Sequence, residues 1–144
     1  MANITMKITQ AYLDKAELNY DVLEEKELNN ALVLHLSSES VSQINIIVAF
    51  EDDGSSCRMQ TYRLISIPKE KREVMLKMCN DLNEKMYFVK FFISEIDDGS
   101  LYLTLNDDAV LQPENSGEEV MRCVGQIIGT IDMVYPTIMK VLYA

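Results

Sequence analysis

The chain has 144 residues, a length suited to one domain that buries roughly 68–70% of its unfolded surface. Apolar residues make up 48% and charged residues 25%, and 23 acidic against 13 basic side chains leave a formal net charge of −10. Such a field repels phosphate backbones and anionic headgroups, which argues against nucleic acid and membrane surfaces as partners.

Asn3 is placed to cap a first helix running to about Glu17, with Ile4, Ile8, Ala11 and Tyr12 along its apolar face. Leu18–Glu25 and Ala31–Ser37 then read as a hairpin turning at Asn29-Asn30. Leu32, Leu34 and Leu36 alternate with Val33 and His35, the period of a half-buried strand. After the serine-rich 37–42, Ile44–Phe50 is apolar on both alternations except at Asn45, the pattern of a central strand covered on both faces. Cys57–Ile65 is interrupted by Arg58, Gln60 and Arg63, so one of its faces is expected to be wet.

Pro68 fits the first turn of a second helix, which reaches about Lys85 with Met75, Met78, Cys79, Leu82 and Met86 at helical spacing. Tyr87–Ile93 reads as an aromatic strand that must be paired on both sides or covered. Leu101, Leu103 and Leu105 alternate in the next strand, and Asp107-Asp108 and Pro113 are expected to end the sheet. Ser116 and Glu119 form an S-x-x-E capping-box pattern at the head of the last helix. Its inward stripe is Val120, Val124, Ile127, Ile131, Ile138 and Leu142, with Pro136 expected to kink it.

An internal repeat organises these elements. Asp-Asp-Gly-Ser at Asp52–Ser55 recurs at Asp97–Ser100, and at the same offset Pro68 recurs as Pro113 and Glu73 as Glu118. The repeated unit is strand, tight turn, strand, proline loop, helix, so each Asp-Asp-Gly turn should join adjacent antiparallel strands. The expected fold is α+β. It has three helices and a mostly antiparallel sheet of five or six strands, in the order α-β-β-β-β-α-β-β-α, within a single domain spanning 1–144.

The chemistry-bearing residues are sparse. Glu51, Asp52, Asp53, Asp97 and Asp98 sit in the turns without the regular ligand spacing or closing bidentate acid of a calcium loop. His35 is the single histidine, and Cys57, Cys79 and Cys123 are scattered, so no zinc set or nucleophile–base pair is legible. The expectation is no metal, no cofactor and no enzyme. The odd cysteine count without C-x-x-C spacing fits a reducing compartment. The N-terminus has neither a basic nor an apolar signal region, and the apolar tract 127–144 is broken by Asp132, Pro136 and Lys140; the expectation is cytoplasmic.

Gly125 and Gly129 form a G-x-x-x-G step on the last helix, where another backbone could approach closely, either within the monomer or from a symmetry mate. Ile128, Tyr135 and Met139 widen the apolar arc of that helix beyond what one sheet contact requires. These five residues are the candidate interface of a homodimer that uses the last helix, with an exposed sheet face as the other option.

The segment Ile67-Pro68-Lys69-Glu70-Lys71-Arg72, then Met78–Asn83, Phe91 through Asp97-Asp98-Gly99, and Tyr135-Pro136 resembles the YbjN-like family of bacterial proteins along nearly the whole chain. That family carries the label of sensory transduction regulators, and its fold is similar to that of type III secretion chaperones. The resemblance implies a small dimeric protein-binding regulator or chaperone-like adaptor with no catalytic residues to carry over. A sensor binding an apolar molecule between helix and sheet is the alternative.

Overall fold

The computed structural model describes residues 3–25 and 28–144. Three helices, α1 (Ile4–Lys15), α2 (Arg72–Lys85) and α3 (Ser116–Leu142), lie on one face of a seven-stranded antiparallel sheet. The strands are β1 (Tyr20–Glu25), β2 (Leu28–Leu36), β3 (Ile44–Phe50), β4 (Ser56–Tyr62), β5 (Ile65–Ile67), β6 (Lys90–Glu95) and β7 (Leu101–Val110). The α+β class and the three helices are those expected. The extra strand arises because the predicted fourth strand breaks at Arg63, whose φ of 49° turns the chain out of line. β4 and β5 then share one side of β7, since Leu103 pairs with both Ile65 and Ile93 and Asn106 with both Gln60 and Lys90. Thr61 Oγ1 fills the break by accepting the Leu105 N–H at 2.9 Å.

The internal repeat is visible in the topology. β3 pairs with β4 and β6 with β7, and the two hairpins join through β4 and β7 to give the order β3-β4-β7-β6. Gly54 and Gly99 take φ of +75° and +86°, a conformation that glycine adopts without steric cost. In each turn an aspartate accepts the N–H two residues on, Asp53 from Ser55 and Asp98 from Ser100. Pro68 and Pro113 each open a short 3-10 turn, Lys69–Lys71 and Pro113–Asn115, that leads into a long helix.

The core lies between helices and sheet. Leu32, Leu34, Ile44, Ile46, Val48, Met59, Leu103 and Leu105 rise from the strands against Leu13, Met75, Val120, Ile127 and Ile131. α3 supplies the broadest contribution, and the expected stripe from Val120 to Leu142 is buried throughout. The helix runs on through Pro136. Lys71 closes its far end, with Nζ donating to the carbonyls of Val141 and Ala144.

Several local expectations are corrected. α1 buries Thr5, Met6, Thr9 and Leu13, leaving Ile4 and Tyr12 outward. Periodicity misread this face because hydrogen bonds satisfy two buried threonines: Thr5 Oγ1 reaches the Gly54 carbonyl, distant in the chain, at 2.9 Å and Thr9 Oγ1 the Thr5 carbonyl, one turn back, at 2.8 Å. Asn29 and Asn30 lie inside β2. Glu25 pairs with Leu28, and residues 26 and 27 lie outside the described residues. β3 is central but covered on one face only, with Asn45, Ile47 and Ala49 half-buried on the other. β7 continues through Asp107 and Asp108 to Val110. The S-x-x-E box does not form, because buried Ser116 donates instead to the Thr5 carbonyl at 3.2 Å and Glu119 pairs with Arg122.

Candidate protein-interaction surface

β6 begins at Lys90, three residues later than periodicity suggested, and forms an edge of the sheet rather than an interior strand. Tyr87 and Phe88 therefore fall in the connection after α2, where they are 91% and 64% exposed. Their rings lie 6.4 Å apart at an interplanar angle of 56°. Between this aromatic pair and the outer side of α3 runs a groove of about 240 Å³, lined by Met86, Tyr87, Phe88, Val89, Gln126, Gly129, Thr130 and Met133. Met133 is itself 60% exposed.

The candidate interface residues divide between two sides of α3. Gly125 and Gly129 face outward, and a Cβ built at either meets nothing within 4 Å. Close packing within the monomer is thus not what these glycines serve. Ile128, Tyr135 and Met139 lie round the helix from them, half-buried at the rim of the core. The aromatic pair beside the glycines was missed by the sequence reading, which placed both rings in a strand. The charge at Lys90 was the one sequence cue that the strand starts late.

The titratable groups are engaged elsewhere. All three thiols are buried, and desolvation pushes Cys57 up to about 12 and Cys79 and Cys123 to about 11. His35, on the open sheet face, has Nδ1 at 2.8 Å from Asn45 Oδ1 and Nε2 at 2.8 Å from Asp21 Oδ2. Those bonds, Asn45 first, raise its pKa. Asp107 is buried against α3, where Gln126 in its bonding orientation donates to Oδ2 at 2.7 Å, and burial raises its carboxyl. The turn carboxylates Asp53 and Asp98 are held below the usual range by Ser55 and Ser100. Among the described residues no group of three or more histidine, cysteine or acidic side chains is placed to hold a metal.

The profile of the YbjN family, described as "Putative bacterial sensory transduction regulator", matches residues 9–140. The chain belongs to the YbjN family. A solved structure, "YbjN, a putative transcription regulator from E. coli", superposes with a TM-score of 0.63 at 15% identity, covering 92% of each chain. At that identity the likeness concerns the fold. No curated protein matches the chain. Among the described residues, no helix is long and apolar enough to cross a membrane.

Proposed function

We propose that this YbjN-family chain is a non-enzymatic, cytoplasmic regulator that works by binding protein, in the manner of a chaperone-like adaptor. The observation that carries the reading is the exposed apolar surface formed by Tyr87, Phe88 and Met133 beside Gly129. Contiguous exposed apolar side chains mark interaction sites, and aromatic residues and methionine are the types enriched there. The family's description as a regulator agrees with this. So does the engagement of the histidine and all three thiols in structure, which leaves the usual nucleophiles and bases occupied or inaccessible. Free buried thiols also suit the reducing cytoplasm.

The test is a photo-cross-linking amino acid placed at Tyr87, and as a control at the exposed Lys7, in the host cell. A discrete protein adduct from position 87 that is absent from position 7 is the expected result. Irradiation that yields no protein adduct at position 87 would overturn the reading.

A further inference from the structure

The outward residues of α3 form a stripe: Glu118, Arg122, Gly125, Gly129, Met133, Pro136 and Lys140. Their spacing of three and four keeps them on one side of a helix. The stripe is nearly palindromic in chemistry about Gly129. Turned end for end on itself, it sets Gly129 against Gly129, Met133 over Gly125, Arg122 against Pro136, and Glu118 against Lys140.

We propose that a second copy of this chain docks here, its α3 antiparallel to the first across a two-fold axis at Gly129. The proposal rests on the protein-binding reading of the same surface and names its partner. Three independent features of the molecule support a copy of itself over another occupant.

The first is charge. In a chain of net charge −10, two copies repel at long range, so any self-contact must be locally favourable. The stripe carries two cations and one carboxylate, and the antiparallel register places Glu118 of each copy at Lys140 of the other. Among the described residues neither side chain has an ion-pair partner within its own chain. The second is shape. The space above Gly125 and Gly129 is open, allowing the helix axes to approach to the short end of the ~8–10 Å packing range. Met133, 60% exposed, then has the notch at Gly125 of the second copy to enter.

The third is the aromatic pair. Tyr87 and Phe88 flank α3 level with Gly129, since their groove is lined by Gln126, Gly129, Thr130 and Met133. A two-fold axis perpendicular to the helix through Gly129 keeps both pairs on the same flank and brings them together. Two strongly exposed rings of the monomer thus become covered in the pair. Isologous contacts need this self-complementarity, in which a patch meets its own image.

Sedimentation equilibrium or light scattering of the full chain over roughly 1–100 μM should report two chains per particle. Gly129→Leu has room in the monomer and substitutes a better helix former, so its melting temperature should hold or rise. Its dimer dissociation constant should nevertheless increase by about tenfold or more. Glu118→Lys and Lys140→Glu should each weaken the dimer, and the double variant should regain most of the loss. Within one chain these residues are about 33 Å apart along the helix, from a rise of 1.5 Å per residue. Recovery in the double variant can therefore come only from contact between copies. Gly129→Cys should form a symmetric disulfide under mild oxidation. A wild-type monomer throughout the range, additive charge variants, or a Gly129→Cys chain that stays unlinked while wild type dimerises would each overturn the pairing. In the first case a hetero-adduct from position 87 in cells would leave the protein-binding reading standing, whereas no adduct would remove both.

Discussion

The side chain of Asn83 on α2 bonds the backbone of Phe91 in both directions. Oδ1 accepts the Phe91 N–H at 2.6 Å, and Nδ2 donates to the Phe91 carbonyl at 2.9 Å. Phe91 lies on edge strand β6 and pairs with Leu105 on its other side. The amide therefore occupies the place a further strand would take, and it ties α2 to the sheet at the point where the core ring of Phe91 inserts. An unguarded edge with apolar aromatic residues is a site for intermolecular pairing.

Replacing Asn83 by Ala should leave a part-buried N–H and C=O without partners. The expected loss is about 1–3 kcal/mol of stability, since an orphaned buried group costs its full desolvation. Chemical denaturation read by circular dichroism measures that loss. The variant should also aggregate faster on gentle heating, read by light scattering. Unchanged stability and aggregation would show that water replaces the amide at no penalty.

Gly117 illustrates a different constraint. A Cβ there would lie 2.5 Å from Tyr12 Cβ, so α3 begins pressed onto α1. Gly117→Ala should destabilise by about 1–3 kcal/mol as an overpacked contact, even though alanine is the better helix former. In a Tyr12→Gly background, which removes the Cβ that is met first, the same change should cost much less. A double-mutant cycle by denaturant unfolding measures the coupling, and purely additive effects would contradict the close approach.

The glycine turns, the two proline-led helices and the core stripe of α3 were legible in the sequence because each rests on a local rule: positive φ at glycine, fixed φ at proline, and apolar spacing at 3.6. The repeat supplied what local rules lack, the pairing of β3 with β4 and β6 with β7. What escaped depends on contacts distant in the chain. Thr5 and Thr9 are buried because Gly54 and a helix carbonyl satisfy them, which hydropathy cannot register. Tyr87 and Phe88 look like core strand residues, and only the tertiary placement of β6 as an edge that starts at Lys90 leaves them in solvent. Gly125 and Gly129 were identifiable as a step, but not which side of α3 the monomer leaves open.

The cysteines should be silent in the native state. Cys57, Cys79 and Cys123 are buried and their thiols are raised to about 12, 11 and 11 by desolvation, so almost no thiolate exists at neutral pH. Ellman's reagent should label no thiol promptly at pH 8 and all three after denaturation. Rapid labelling of one thiol without denaturant would place that residue in solvent.

His35 should make stability depend on pH near neutrality. Both its neighbours on the ring nitrogens, Asn45 Oδ1 and Asp21 Oδ2, are acceptors, an arrangement that favours the doubly protonated imidazolium over either neutral tautomer. The hydrogen bond to Asn45, then that to Asp21, raises the folded-state pKa above 6.5. A base whose pKa is raised on folding binds its proton more tightly in the native state. Its contribution is therefore complete below the unfolded value near 6.5 and disappears as pH climbs through the raised folded value. His35→Gln should remove that slope, and Asp21→Asn should reduce it. Denaturant unfolding of the three proteins between pH 5.5 and 8.5 reads the difference directly. A wild type that gains stability relative to His35→Gln as pH rises across that window would reverse the sign and show that the ring is bound in its neutral form.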